Sequence, residues 1–345
     1  MSDFFRNLAE DLKDEDTSIA ADGMGSAEYT GTVDTGSYIL NAVMSGSIYG
    51  GVPNNKITAF AGETTTGKTF FALAVVKQFL IDNPTGGVVY YDTEAAVTKE
   101  MMESRGIDTQ RIILSEPQSI QQFRTHAIKV LDEYEKTAEG KRPPMMMVLD
   151  SLGILSSEKE LADSAAGNDT RDMTKAQSIR GTFRVLTLKL AKLKVPMIVT
   201  NHVYEVIGSY MPQKEMGGGS GLKYAASTIA YLSKKKVREG TDITGIIIKA
   251  KMFKSRIAKE NAEAEVLLSY TKGLDRYYGL LEFGEKKGIF TKAGNRYEIG
   301  ESKLYGKQIL SNPTKYFTEE VLDQLDKAAK EEFSYGALSD TEENN

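Results

Sequence analysis

Residues 62–69 read GETTTGKT, a complete G-x-x-x-x-G-K-[ST] phosphate loop, set between a β-branched apolar run, KITAFAG, and a helical one, FFALAVVKQFLID. That placement constrains the fold more than any other feature, because such a loop works only where a buried strand turns into a helix. Gly62 and Gly67 allow a tight turn in which the backbone N–H groups around Glu63, Thr64, Thr65 and Thr66 face inward. The helix opened by Lys68, Thr69 and Phe70 adds the positive end of its dipole. Lys68 is then placed to neutralise β- and γ-phosphates, and the Thr69 hydroxyl to ligate Mg2+. The loop is read as a nucleoside triphosphate site.

The same alternation continues along the chain. GVVYYD is followed by a helix around 98–105, RIIL, a helix opened by Ser119 with Gln122 three residues on, MMMVLD, a long helix near 172–193 and VPMIVTN. Strands separated by helices imply βαβ units and an α/β fold with a mostly parallel central sheet covered on both faces. TIAYLS, GIIIKAKM and EAEVLLSY follow with little helix between them and are expected to extend that sheet at one side as antiparallel strands. From about residue 276, a helix (YYGLLEFGEKKG), a small hairpin (IFTKAGNRYEIG) and two more helices predict a small α+β unit. At the other end Phe4, Phe5, Leu8 and Leu12 fall at helical spacing ahead of a small-residue linker, which reads as an arm. The expected divisions are an N-terminal arm over 1–32, a core over 33–272, a C-terminal α+β domain over 273–336 and an acidic tail over 337–345.

Three strand ends carry polar groups toward the phosphate loop. MMMVLD ends in Asp150, which at the carboxyl edge of the sheet reaches a Mg2+ ion through water, and Ser151 follows it. Taken alone the signal is weak, since buried strands often end in Asp; a phosphate loop upstream gives it a task. Hydrolysis also needs a group that orients or deprotonates water. GVVYYD runs into Thr93 and Glu94, which puts Glu94 beside the γ-phosphate, with Asp92 the competing base and a merely solvated loop acid the plainer alternative. The third tip, Thr200-Asn201-His202, ends VPMIVT; an isolated His is more often a satisfied structural residue, yet His202 belongs to the same row.

Composition narrows the chemistry. The chain has 345 residues, 41% hydrophobic and 26% charged, an ordinary globular balance with length enough for a sizeable core. Cys is absent and His126 and His202 are the only imidazoles, which excludes disulfides, thiol nucleophiles and metal sites built from several His or Cys. No uncharged apolar run approaches the ~18 residues of a membrane span, and MSDFFRNLAEDLKD has no apolar export signal, so a cytoplasmic location and no membrane partner are expected. The net charge of -5 is uneven: residues 1–23 hold seven acids against two bases and residues 316–345 nine against two, which leaves +7 on residues 24–315. Acidic ends can simply keep a protein soluble.

The order phosphate loop, Glu after the next strand, MMMVLDS, TNH and GGGSGLKYAAS resembles the RecA recombinase family, most closely the UvsX recombinases of T-even-type phages, from about Thr35 to about Gly336. Its specific pieces are YDTE at 91–94, VLDSLGILSSEKE at 148–160, MGGGSGLKYAAS at 216–227, KSR at 254–256 and GLDRYYGLLEFGEKKGIFTKAG at 273–294. The resemblance implies an ATP-dependent, single-stranded-DNA-dependent ATPase that forms helical filaments and catalyses homologous pairing and strand exchange, with ATP and Mg2+ as cofactors. By position it implies that Gly62 through Phe70 bind ATP, that Thr69 and Asp150 with Ser151 form the metal site, and that Glu94 activates water. Asn201 and His202 fall on the pair that senses the γ-phosphate and passes the signal to the DNA loops. Lys254 and Arg256 match the basic pair that reaches across to the neighbour's ATP; the Arg changes the geometry where RecA has a second Lys.

Two segments resemble the family's DNA-binding loops. Residues 156–175 are polar and read as a mobile loop, with Arg171 and Lys175 as its cationic end. Residues 203–223 end in Gly218, Gly219, Ser220 and Lys223, which can bring backbone amides and a charge to phosphates, though Gly-rich loops are more often just flexible. Binding to single- and double-stranded DNA is expected to be largely sequence-independent. The implied partners are DNA, further copies of the chain, a single-strand-binding protein and a recombination mediator, in the host cytoplasm if the chain is phage-encoded. The aromatic residue that stacks on adenine in bacterial RecA falls near Met101, a departure, and the arm is assigned to filament contact by analogy alone. A RecA-like hexameric helicase and an ATP-binding regulator without DNA activity are the competing readings.

Overall fold

The structure, a computed structural model, describes residues 3–12, 19–22, 25, 28–168, 172, 174–205, 214–235, 245–269, 273–299 and 302–335. Arg171 and the acidic tail therefore lie outside the described residues, as do 206–213 of the second loop. Helix α1 (Asp3–Asp11) leaves Phe4 66% and Phe5 58% exposed. The core begins with β1 (Thr32–Val33), α2 (Tyr38–Ser45) and β2 (Val52–Pro53), the two strands pairing antiparallel. Then β3 (Ile57–Gly62), α3 (Lys68–Asp82), β4 (Gly87–Asp92), α4 (Lys99–Glu103), β5 (Ile112–Ser115), α5 (Ile120–Lys136) and β6 (Met145–Asp150) follow in strict alternation. Next come α6 (Glu158–Ala165), α7 (Lys175–Lys192), β7 (Met197–Glu205), β8 (Lys214–Met216), α8 (Ser220–Ala225), β9 (Thr228–Lys235), β10 (Gly245–Lys254), β11 (Glu263–Ser269) and β12 (Gly273–Leu274).

The main sheet runs in the order β12-β11-β10-β9-β3-β7-β6-β4-β5, with β8 paired to β7. All pairings from β9 to β5 are parallel. β3 is buried at every position and β6 at nearly every one, the pattern of strands covered by helices on both faces. One face packs Phe60, Phe71, Val76 and Tyr90 against α2 and α3; the other packs Tyr91, Phe123, Met147 and Phe183 against α5 and α7. Each such fully buried side chain contributes roughly 1.5–3 kcal/mol.

The expectation of three antiparallel strands is corrected at β9, which lies parallel to β3; antiparallel pairing starts at β10. The long connection from Glu205 to Thr228 is what permits it, since a parallel neighbour needs a crossover and an antiparallel one only a tight turn. At the C-terminal end, α9 (Leu280–Lys286) is followed by the expected hairpin, β13 (Thr291–Ala293) and β14 (Arg296–Ile299), to which β15 (Ser302–Tyr305) adds a third antiparallel strand. Three helices then follow where two were expected: α10 (Gly306–Ser311), α11 (Pro313–Tyr316) and α12 (Glu319–Phe333). Leu281, Phe283, Phe317 and Leu325 belong to the same apolar cluster as α2 and α3. Asp326 of α12 accepts from Ser47 Oγ at 2.5 Å and Ile48 N at 2.9 Å, which pins this unit to the loop after α2.

Candidate nucleotide site and the loops beyond it

Sheet register aligns the polar strand ends. Gly62 of β3 faces His202 of β7, and Asp92 of β4 faces Asp150 of β6, so four strands deliver their ends to one edge. The loop from Gly62 opens into α3, whose N-cap is Gly67 at φ +83, a left-handed conformation available to glycine. A Cβ there would lie 2.7 Å from Leu268 Cδ2, and one at Gly62 would collide with Thr66 Oγ1 and the Leu232 carbonyl. No side chain caps α3 and no acid sits in its first turn, so its N-terminal amides face the loop's concavity uncompensated. Glu63, Thr64 and Thr65 are exposed and Thr66 is buried, donating to Glu63 O at 2.8 Å. Lys234 of β9 donates to Thr65 Oγ1 at 2.6 Å. Lys68 is buried and its ammonium donates to Gly62 O and Glu63 O at 3.2 and 3.0 Å. Burial lowers its pKa against the opposing pull of Glu94 and Asp150. Phe70 is partly buried beneath the Arg105 guanidinium, 4.4 Å from its ring centre, and Arg105 donates to Met101 O at 2.7 Å.

Asp150 is buried among hydroxyls. Thr200 and Tyr90 donate to it, the latter at 2.9 Å, and Thr69 hydrogen-bonds to it. Burial raises its pKa and the hydroxyls pull the other way. A desolvated carboxylate beside a hydroxyl at the foot of an anion-binding loop is a donor set that fits Mg2+, since a hard cation takes oxygen ligands and would restore the balance that burial removes.

Glu94 and Asp92 take different roles. Asp92 is buried and both its oxygens accept backbone amides, Glu94 N and Val97 N, each at 3.0 Å, so it shapes the turn. Glu94 projects from that turn; its Oε1 accepts from Ser151 Oγ at 2.5 Å and from His202 Nε2 at 3.0 Å. Burial acts to raise the Glu94 pKa, but the bonds from Ser151 and His202 and the charges of His202 and Lys68 hold it below its ordinary value. His202 Nδ1 lies 3.5 Å from the Lys68 ammonium, which can only donate, so in the neutral imidazole the proton sits on Nε2 and points at Glu94.

The strand expected to end at Thr200-Asn201-His202 instead continues to Glu205 and pairs with β8 beyond the sheet edge. Asn201 is fully buried there, donating from Nδ2 to Gly217 O at 2.9 Å and accepting from His202 N at 2.9 Å. Gly218 and Gly219 both have positive φ, and Gly219 leads into α8. A Cβ at Gly221 would lie 2.9 Å from Arg180 Cα, so this run lets α8 pack on α7. Ser220 Oγ accepts from Arg180 at 3.0 Å, and the Lys223 ammonium lies 5.0 Å from the Phe253 ring centre.

The first loop, read as mobile, carries a helix over Glu158–Ala165, and residues 169–171 and 173 of it lie outside the described residues. Ser157 and Glu160 form a reciprocal capping box that starts α6, and Ser157 Oγ donates to Asp172 at 2.5 Å. Lys175 opens α7 and pairs with Glu160 at 3.1 Å. Lys254 is half-buried, donating to the carbonyls of Lys223, Tyr224 and Ala226 at 2.8, 3.2 and 2.7 Å. Burial, then Arg256, pulls its pKa down to about 8, with Glu260 opposing. Arg256 is exposed and reaches Tyr224 O at 3.5 Å.

The RecA N-terminal domain family matches residues 12–275. The chain belongs to the RecA family. The recombination and repair protein of Enterobacteria phage T4 is 30% identical over 263 residues, 76% of this chain and 66% of that protein, so the chain spans just under two thirds of that relative's length. Protein RecA of Mesomycoplasma hyopneumoniae strain J is 29% identical over 293 residues, 82% of each chain, and Protein RecA of Streptomyces venezuelae 27% identical over 320 residues, 89% of this chain and 78% of that one. Within this RecA fold, sequence reasoning missed Tyr90 and Lys234 at the nucleotide site and gave Thr200 no task. Thr200 was legible as the polar residue that ends the apolar run MIV, and Tyr90 only as one of two adjacent tyrosines in GVVYYD; Lys234 comes close only through the β3–β9 pairing. Among the described residues no helix is long and apolar enough to cross a membrane.

Proposed function

We propose that this RecA-family chain is a single-stranded-DNA-stimulated ATPase that assembles on DNA as a helical filament and exchanges homologous strands. The observation that carries the reading is the continuous run of hydrogen bonds from Lys68 through His202 to Glu94 and, by the adjacent Asn201, to Gly217 at the head of the Gly218–Gly219 segment. Lys68 exchanges the carbonyls of Gly62 and Glu63 for phosphate oxygens, and the amides of 62–70 bind the rest of the anion. Thr69 and Asp150 would hold Mg2+, whose chemistry there is to neutralise charge on phosphate oxygens. Glu94, kept ionised by Ser151 and His202, orients the attacking water and takes its proton. Asn201 and His202 share a strand with the γ-phosphate side of the site, so displacement of His202 moves Gly217 and the DNA loops. Arg256, exposed beside the loop helix, supplies positive charge to the ATP of a neighbouring protomer; Lys175, Lys223 and the amides of Gly218, Gly219 and Ser220 face the DNA backbone. A single-strand-binding protein and a mediator complete the proposed partner set.

The test is ATP hydrolysis with and without single-stranded DNA, with negative-stain imaging of the same samples. DNA-stimulated turnover and open filaments are expected. Closed rings with unwinding would return the helicase reading, and nucleotide binding without turnover or DNA binding the regulator.

A further inference from the structure

The phosphate loop holds one residue in a conformation that its own chemistry disfavours. Thr65 has φ +64, in the left-handed region, where a β-branched side chain is rare. It occupies the third position of a turn, Glu63 to Thr66, closed by Thr66 N donating to Glu63 O at 3.4 Å, a place where Gly or Asn is usual. Backbone held this way persists only where its surroundings over-determine it. The two ends of the turn are tied, since Thr66 Oγ1 and the Lys68 ammonium both donate to Glu63 O. Thr65 itself is exposed, and its side chain is bonded to Lys234, whose ammonium donates to Oγ1 at 2.6 Å. Sheet register brings that ammonium there. β3 ends its pairing with β9 at Gly62, opposite Leu232, while β9 runs on beside β10, and Lys234, opposite Ile248, falls on the same face as Leu232. A cation on a paired strand thus overhangs a loop that lies 169 residues earlier in the chain.

We infer that Lys234 is a positioning residue that latches Thr65, and with it the apex of the phosphate loop, in the shape that receives a nucleotide. The inference deepens the proposed ATPase site and rests on that reading only for the loop's ligand. A hydroxyl that accepts from an ammonium keeps its own hydrogen to donate, so a latched Thr65 retains a donor for a phosphate oxygen. Without the latch, Thr65 relaxes toward negative φ, and the turn that carries the inward-facing amides opens. Lys68 works differently: it is buried and bonds the carbonyls of Gly62 and Glu63, whereas Lys234 is exposed and reaches the apex from another strand.

Binding of N-methylanthraniloyl-ADP with Mg2+ to dilute, DNA-free protein tests the latch, alongside steady-state ATP hydrolysis. Lys234→Met should weaken ADP binding about tenfold, the loss of a hydrogen bond to a charged group, and its effect on turnover should fall on KM rather than kcat. Lys234→Arg, which keeps a donor, should recover most of the affinity. Thr65→Val keeps the β-branch but removes the acceptor, so it should weaken ADP at least as much, and adding Lys234→Met to it should weaken binding no further. Thr65→Gly, free to adopt positive φ, should bind ADP more tightly than Thr65→Val. Both residues are exposed, and melting of the nucleotide-free variants controls for the fold. Equal losses from Lys234→Met in the parent and in the Thr65→Val background overturn the inference, because the charge then acts on phosphate without Thr65; unchanged affinity in Lys234→Met overturns it too. If turnover is indifferent to DNA or closed rings form, the recombinase reading fails while the ADP cycle still decides the latch.

Discussion

Glu94 is held ionised by groups that a sequence cannot place: Ser151 comes from the end of β6 and His202 from β7, 57 and 108 residues away. Because its pKa is lowered, the carboxylate is ready as a base throughout the neutral range, and the acid limb of kcat/KM should fall below the ordinary glutamate value of 4.5. Ser151→Ala removes one of the two hydrogen bonds that depress it, so the limb should move upward in a pH–rate profile; an unmoved limb would mean another group titrates there. Glu94→Gln should keep ATP and DNA binding and lose turnover by about 10²–10⁴-fold, measured in a single-turnover assay. Normal hydrolysis by that variant would make Asp92 the next suspect, although both Asp92 oxygens already bind the turn. The residues themselves were legible because each strand ends in a polar residue where a phosphate loop needs one. Their partners were not, since cross-strand neighbours follow from sheet order, which local pattern does not encode.

At the scale of elements, alternation of apolar strands and amphipathic helices predicted β3 through β7 closely, because buried parallel strands and capped helices each leave a local signature. The loops were read less well. Polar, small residues at 156–175 suggested a mobile loop, yet Ser157 and Glu160 stand at capping-box spacing, a helix start visible in the sequence itself. Ser157→Ala should cost about 1 kcal/mol in α6, seen as faster hydrogen exchange at the Glu160 amide, which Ser157 Oγ now accepts at 3.0 Å. The continuation of β7 past His202 was hidden because pairing with β8 depends on a return of the chain. Its consequence is that Asn201 touches Gly217, and Asn201→Ala should bring the DNA-stimulated ATPase rate down toward the DNA-free rate while the protein stays folded. Retained stimulation would show that the signal takes another route.

For the molecule as a whole, net charge and charge distribution point in opposite directions. A total of -5 disfavours a polyanion, but residues 24–315 carry +7, and the acids gather at the two ends. Asp340, Glu342 and Glu343 within residues 337–345 are carboxylates tethered to a chain whose residues 24–315 are net positive, and we predict that they compete, at high effective concentration, for the cations that DNA must engage. A tethered polyanion and a DNA backbone differ in how salt treats them. Weak, solvated tail contacts are screened over a Debye length of about 8 Å at physiological ionic strength, whereas DNA binding declines steeply through counterion release. Deleting residues 337–345 should therefore tighten duplex DNA binding most at low salt, and the difference between truncated and full-length chains should close as salt rises. Titrations of both chains against duplex DNA from about 30 Å to about 8 Å of Debye screening check this. Equal affinities at every salt concentration would leave the tail as a solubilising segment, and the positive charge of the core unopposed by it.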